Sequence, residues 1–154
     1  VSAKSRTKGQ AGEREIAMLV RELTGWDVRR RVRQHDGDSD LEGVPGWSVE
    51  VKRHARATRS DIATWWAQAV AQAGRAGAVP VLFFRCDRDA WRAVWPVAVS
   101  LVDSRASTWS EYGWTVEGSI DAWCAVAREA ASTSESPHGV CIRAQALRPE
   151  VATA

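Results

Sequence analysis

The 154-residue chain is short of several things at once. Its cysteines number three, Cys86, Cys124 and Cys141, with no CxxC pair among them. That excludes a disulfide framework and a cysteine-based zinc module, and leaves reduced thiols as expected of a cytoplasmic protein. No apolar run approaches the roughly 20 residues that a membrane-crossing helix needs, so no membrane partner is expected. Residues 1–9 carry Lys4, Arg6 and Lys8 and no apolar run, unlike a secretory signal. No internal repeat is visible. Nothing suggests a Ser/His/Asp or Cys/His arrangement, which argues against acyl transfer. Lysine is scarce as well: 3 against 18 arginines, and Lys52 stands alone beyond residue 8.

What remains is ordinary globular material with an uneven charge. Hydrophobic residues make up 45% and charged residues 26%, enough for one domain with a real core. The net charge of +2 hides a gradient. Residues 1–59 hold 13 Lys+Arg against 9 Asp+Glu, and residues 60–154 hold 8 against 10. A local basic excess suits contact with a polyanion. The preference for arginine and alanine reads as GC-rich coding. Nine tryptophans are unusual, and composition alone does not explain them.

Periodicity gives the element order α-β-β-β-α-β, followed by less regular sequence. Residues 1–9 read as a flexible basic arm. Ile16, Leu19, Val20 and Leu23 recur at helical spacing, and Gly25 stops the run. Residues 27–34 read as a strand, with Val28 and Val32 among arginines. Gly43-Val44-Pro45-Gly46 is a turn. From Trp47 the chain alternates, with Trp47, Val49 and Val51 facing one way and Ser48, Glu50 and Lys52 the other. Ser60 is expected to cap a helix over residues 61–75, ended by Gly74 and Gly77. Residues 78–85 form an apolar run typical of a strand buried on both faces. Residues 91–102 read as one or two strands around Pro96. A last helix spans residues 120–131 behind Ser119, and residues 140–144 read as a final short strand.

Chemistry concentrates in residues 36–53. Nine residues separate Asp40 from Glu50, with a Pro-Gly turn between them. A hairpin there brings Asp40 to the strand carrying Glu50, and Lys52 follows on the same face, about 7 Å along. Paired carboxylates suit a hard cation such as Mg²⁺, with Mn²⁺ as substitute. Such a cation polarises a phosphate and acidifies bound water. A neighbouring ammonium orients that water or offsets charge on the phosphate. Together these are the parts for metal-dependent phosphodiester hydrolysis. Glu13 lies on the inward stripe of the first helix, where a carboxylate is costly unless paired or metal-bound. In a chain that otherwise uses arginine, Lys52 marks a place suited to a compact ammonium.

Ser39-Asp40-Leu41 followed by Val49-Glu50-Val51-Lys52-Arg53 resembles the PD-(D/E)xK nuclease superfamily, with serine where proline often stands. Glu13 matches its helix-borne glutamate. Trp65-Trp66-Ala67-Gln68-Ala69 and Pro80-Val81-Leu82-Phe83-Phe84-Arg85 resemble the following helix and strand of phage and archaeal-type Holliday junction resolvases. The resemblance covers about residues 8–97. It implies an α/β, restriction-endonuclease-like fold, with a mixed central sheet flanked by helices and a C-terminal extension. On this division residues 10–102 are the nuclease core, and residues 103–154 an extension of unassigned role packed on it. It further implies Mg²⁺ dependence, DNA, branched in the resolvases, as partner, and a homodimer suited to a two-fold symmetric junction.

Carried over, the resemblance makes Asp40, Glu50 and the Val51 carbonyl the metal ligands. Lys52 positions the attacking water, Glu13 is an outer or second-metal carboxylate, and Gln68, facing the site from the second helix, is expected to touch the water or a phosphate. Asp38 competes with Asp40, which the following Leu41 favours. Lys8, Arg29, Arg30, Arg31, Arg33, Arg53 and His54 are the expected DNA contacts. Each has a plainer reading. Glu50 and Lys52 could form a solvated strand face, Glu13 could be a first-turn helix acid, and the arginines an exposed edge. Gln68 and Gln72 could be a polar helix face. Trp65 and Trp66 are expected to pack rather than stack on bases, and Trp109, Trp114 and Trp123 to serve a core or a dimer interface.

Overall fold

A computed structural model describes residues 3–32, 38–100 and 110–134. Helix α1 (Ala3–Thr24) leads into the short strands β1 (Arg29–Arg30) and β2 (Leu41–Glu42), then β3 (Trp47–His54). Helix α2 (Arg59–Ala76), strands β4 (Val79–Cys86), β5 (Arg92–Pro96) and β6 (Thr115–Gly118), and helix α3 (Ile120–Ser134) complete the order. The expected α-β-β-β-α-β series is present.

The main sheet runs β3-β4-β5-β6. Strands β3 and β4 are parallel over eight pairs, from Trp47↔Val79 to His54↔Cys86, and α2 makes the crossover between them. Strand β5 is antiparallel to both β4 and β6. The sheet is therefore mixed, as expected of this fold class. Residues alternate between two cores. Trp47, Val49, Val51, Val81 and Phe83 face α1 and α3, meeting Ile16, Val20 and Trp123. Leu82, Phe84 and Val94 face α2, meeting Trp66 and Ala69. Trp123 is fully buried, edge-on to both Trp47 and Phe83. Burial raises the Cys124 thiol to about 12, so it stays protonated.

Several boundaries differ from the sequence expectation. Residues 3–9, read as a flexible arm, belong to α1. Extending a formed helix fixes one residue per hydrogen bond, and no proline interrupts the segment. Lys8 is also tied to Asp87 in the β4–β5 turn at 2.6 Å. In the described part of the strand expected over residues 27–34, only Arg29–Arg30 is paired as strand, because its partner β2 offers only two residues, and Val32 is 81% exposed. Helix α2 is capped by Thr58, not Ser60. The Thr58 hydroxyl accepts from the Asp61 N–H, and the Asp61 carboxylate accepts from the Thr58 N–H. Gly77, at φ 62°, ends α2 as anticipated. The chain beyond residue 102 carries structure integral to the core: β6 closes the sheet on β5 and α3 packs beside α1. The strand expected at 140–144, Trp109 and Cys141 lie outside the described residues.

Gly43 holds β1 and β2 close. A Cβ there would come within 2.2 Å of the Asp27 carbonyl oxygen, and its φ of 87° disfavours any side chain.

Candidate active site

Strict alternation along β3 projects Glu50, Lys52 and His54 from the α2 face of the sheet. Lys52 Nζ meets Glu50 Oε1 at 2.5 Å, with both side chains mostly buried. Strand β3 is an edge of the main sheet, and the segment before β2 covers part of that edge. The Asp40 N–H donates to the Val49 carbonyl at 2.8 Å, and one Asp40 carboxylate oxygen accepts from the Val51 N–H at 2.7 Å. Ser39 fixes the approach: its hydroxyl accepts from the Val49 N–H at 2.9 Å and donates to the Leu41 carbonyl at 2.7 Å. Serine thus supplies a donor and an acceptor where proline, common at this position, could do neither.

Four charged groups meet electrostatically at Asp40. Burial pushes its carboxyl up, Glu50 adds repulsion, the Val51 N–H pulls down, Glu13 adds more repulsion and Lys52 relieves some of it. The balance lies at about 7. Glu13, 9% exposed, reaches this neighbourhood from α1. Its carboxylate is ion-paired with Arg30 of β1 at 2.5 Å.

Gln68 is exposed on α2, one turn before the amide that is buried. Gln72 is 3% exposed, and its amide nitrogen donates to the Asp38 carbonyl at 2.6 Å and, more weakly, to that of Val49 at 3.4 Å. It holds the Asp38–Asp40 turn against β3. Gln72 follows the buried Ala69 by three residues, the inward spacing of α2, which is the sequence signal that distinguishes it from Gln68. The Asp38 carboxylate lies 3.6 Å from Arg31.

The expected DNA-contacting residues divide. Arg29 is paired with Asp27 at 2.6 Å, Arg30 with Glu13, Arg31 with Asp38 and Lys8 with Asp87. The Arg53 Nε is buried without a hydrogen-bond partner. His54 is exposed and stacks on Trp65, ring centroids 4.6 Å apart at 26°. Burial, with Lys52 and Lys8 nearby, lowers the His54 pKa, leaving a neutral ring at neutral pH. Trp66 packs in the core as expected, whereas Trp65 is only partly buried. Arg33 lies outside the described residues.

A family model described as "Phage putative PDDEXK endonuclease" matches residues 4–122 of the chain. The chain belongs to this family. The match spans Glu13, Asp40, Glu50 and Lys52 and runs through β6 to the start of α3, further than the resemblance read from the motifs. Among solved structures, the chain is similar to Hjc, a Holliday junction resolvase from the archaeal hyperthermophile Archaeoglobus fulgidus. Identity is 17%, over 80% of this chain and 96% of that one, with a TM-score of 0.42. No curated protein matches the sequence.

For a member of this family the donor set matters. Among the described residues no three His, Cys, Asp or Glu side chains form a ready-made metal cage. Mg²⁺ needs none, since it keeps several waters and takes one or two carboxylates. Negative charge crowded on Asp40 is the condition that a cation relieves, so the residues present fit the ion.

Proposed function

We propose that this chain is a metal-dependent DNA endonuclease that hydrolyses phosphodiester bonds at the Asp40–Glu50–Lys52 group. Its preferred substrate is branched DNA of the Holliday junction type. One observation carries the reading. Glu13 of α1 and Glu50 and Lys52 of β3 all act on Asp40 at the edge of β3, and burial together with repulsion from Glu50 and Glu13 raises Asp40 to about 7. A solvated strand face would not produce that crowding, because water screens exposed charges.

In this reading Asp40, Glu50 and the Val51 carbonyl hold Mg²⁺ or Mn²⁺, which when bound supplies Lewis acidity and a more acidic water. Lys52 is set against Glu50 and offers an ammonium beside the attacking water. Glu13 serves as an outer carboxylate, oriented by Arg30. Val51 has a second part: its N–H aims the Asp40 carboxylate. Gln72, not Gln68, holds the turn that carries Asp40. Lys8, Arg53 and His54 are the contacts to the DNA backbone and bases in this reading. A homodimer would present two such sites to the two symmetric strands of a junction. No described helix is long and apolar enough to cross a membrane, and the protein is proposed to act in the cytoplasm, where a phage enzyme of DNA recombination meets its substrate.

The test is cleavage of a synthetic four-way junction beside a linear duplex of the same sequence, with and without Mg²⁺. Metal-dependent cutting, faster on the junction, is expected. Cutting of both substrates at equal rates would retain the endonuclease and reject junction preference. Binding without cutting at any metal concentration would make the chain a DNA-binding module.

A further inference from the structure

The α2 face of β3 does not end at Lys52. His54 follows two residues on, about 7 Å along the strand, and lies nearly parallel on Trp65 of α2. Trp65 in turn leans against Phe84, with centroids 6.3 Å apart. Among the described residues, neither nitrogen of His54 has a hydrogen-bond partner. The imidazole is therefore held by stacking alone, on the same sheet face as Glu50 and Lys52. Beyond it lies a cavity of about 440 Å³ lined by Ile62, Phe84, Cys86, Asp89 and the ion-paired Arg92 and Glu117. It adjoins the stack, since Ile62 precedes Trp65 by one helical turn and Cys86 is the register partner of His54. That volume is in the range of small-molecule sites.

Aromatic side chains beside cations are the means by which proteins hold unpaired bases, because every base has a π-face. Here the cations are Lys52 and Lys8, both close enough to act on the His54 ring.

We propose that the His54–Trp65 ledge is a stacking subsite for a nucleobase that has left its helical stack, next to the phosphate attacked at Glu50 and Lys52. This rests on the endonuclease reading and adds to it the feature of the substrate that is recognised: an unpaired base, as found at branch points and bulges. The cavity beside Phe84 gives the displaced nucleotide room. A fully paired duplex has no base to place there, so the ledge contributes selectivity rather than general affinity.

The experiment uses the full chain in EDTA, so that no cleavage intervenes. The probes are a duplex with one bulged 2-aminopurine, whose fluorescence is quenched by stacking, and the same duplex fully paired. The wild type is expected to bind the bulged probe more tightly and to quench it. His54→Ala should lose the quenching and lower the preference for bulged over paired DNA about tenfold, within the usual range for one stacked base. His54→Phe keeps a ring without ring nitrogens and should restore both. Equal losses on the two probes in His54→Ala, or a Phe variant no better than Ala, would overturn the proposal, since a structural or charge role predicts those results. Parallel assays with Mg²⁺ separate this from the underlying reading. A wild type that cuts DNA, with a bulge preference untouched by His54→Ala, removes the ledge and leaves the endonuclease. A wild type that cuts nothing but shows the ring-dependent preference does the reverse.

Discussion

Arg30 of β1 closes an ion pair on Glu13 of α1, with both side chains less than one-fifth exposed. An arginine expected to face DNA is thus engaged inward, and the carboxylate on the apolar stripe has a permanent counter-charge. Removing one partner leaves the other charged and desolvated. Arg30→Ala should therefore cost about 3 kcal/mol in urea unfolding. Adding Glu13→Gln to it should recover a substantial part. A loss under about 1 kcal/mol would mean that solvent already screens the pair.

Asp40→Asn and Glu50→Gln each keep shape and remove a charge suited to holding Mg²⁺. Cleavage should fall below detection in both, while binding of the same DNA stays equal or tightens as repulsion from phosphate is lost. Wild-type cleavage by either variant would dissolve the site assignment.

The raised Asp40 pKa sets a pH dependence for the metal-free protein. The unfolded carboxyl titrates near the ordinary value of 3.8, and the folded one at about 7. Between these values the folded state binds more protons, so stability falls as pH rises. The contribution is full below the unfolded value and is lost as pH rises through about 7. Thermal melts in EDTA should show Asp40→Asn more stable than wild type at pH 8 and nearly equal at pH 4. Equal melting at both pH values would refute the raised Asp40 pKa.

Lys52→Arg conserves charge but replaces a compact ammonium by a wide planar group. It should bind DNA and Mg²⁺ almost normally, yet cleave on the order of 100-fold more slowly in single-turnover assays, as positional errors near 1 Å do. Wild-type speed would reduce Lys52 to a surface charge.

Arg53 differs from the arginines of β1 in having its Nε buried and without a hydrogen-bond partner. Its neutralisation should reduce the slope of log K against log salt by about one. Arg29→Ala, which leaves Asp27 with Arg21 as its remaining partner, should change the slope by less.

Much of this architecture was legible because local pattern and tertiary role agree. The alternation from Trp47 to Lys52 and the unbroken apolar run of β4 each have one consistent placement. The approach of Asp40 to β3 was legible through spacing alone, since a turn with Gly43 and Gly46 at positive φ returns it there. What stayed hidden were partnerships between distant residues. Nothing local says that Arg30 belongs to Glu13, 17 positions away, or that Gln72 rather than Gln68 reaches the Asp38 carbonyl. The start of α1 was hidden for the same reason, its pin being an aspartate at position 87.

The hydrogen bonds that anchor Ser39 and Asp40 have a consequence for solubility. An edge strand normally offers a row of free N–H and C=O groups, on which a second chain can template itself. On β3 the Val49 N–H is taken by Ser39, the Val51 N–H by Asp40, and the Val49 carbonyl accepts from the Asp40 N–H. The same aspartate that crowds the acids thus blunts the sheet edge against self-association. Asparagine at position 40 can still accept from Val51 and preserves that guard. Alanine cannot, so strand-to-strand aggregation at high concentration should rise with Asp40→Ala and not with Asp40→Asn.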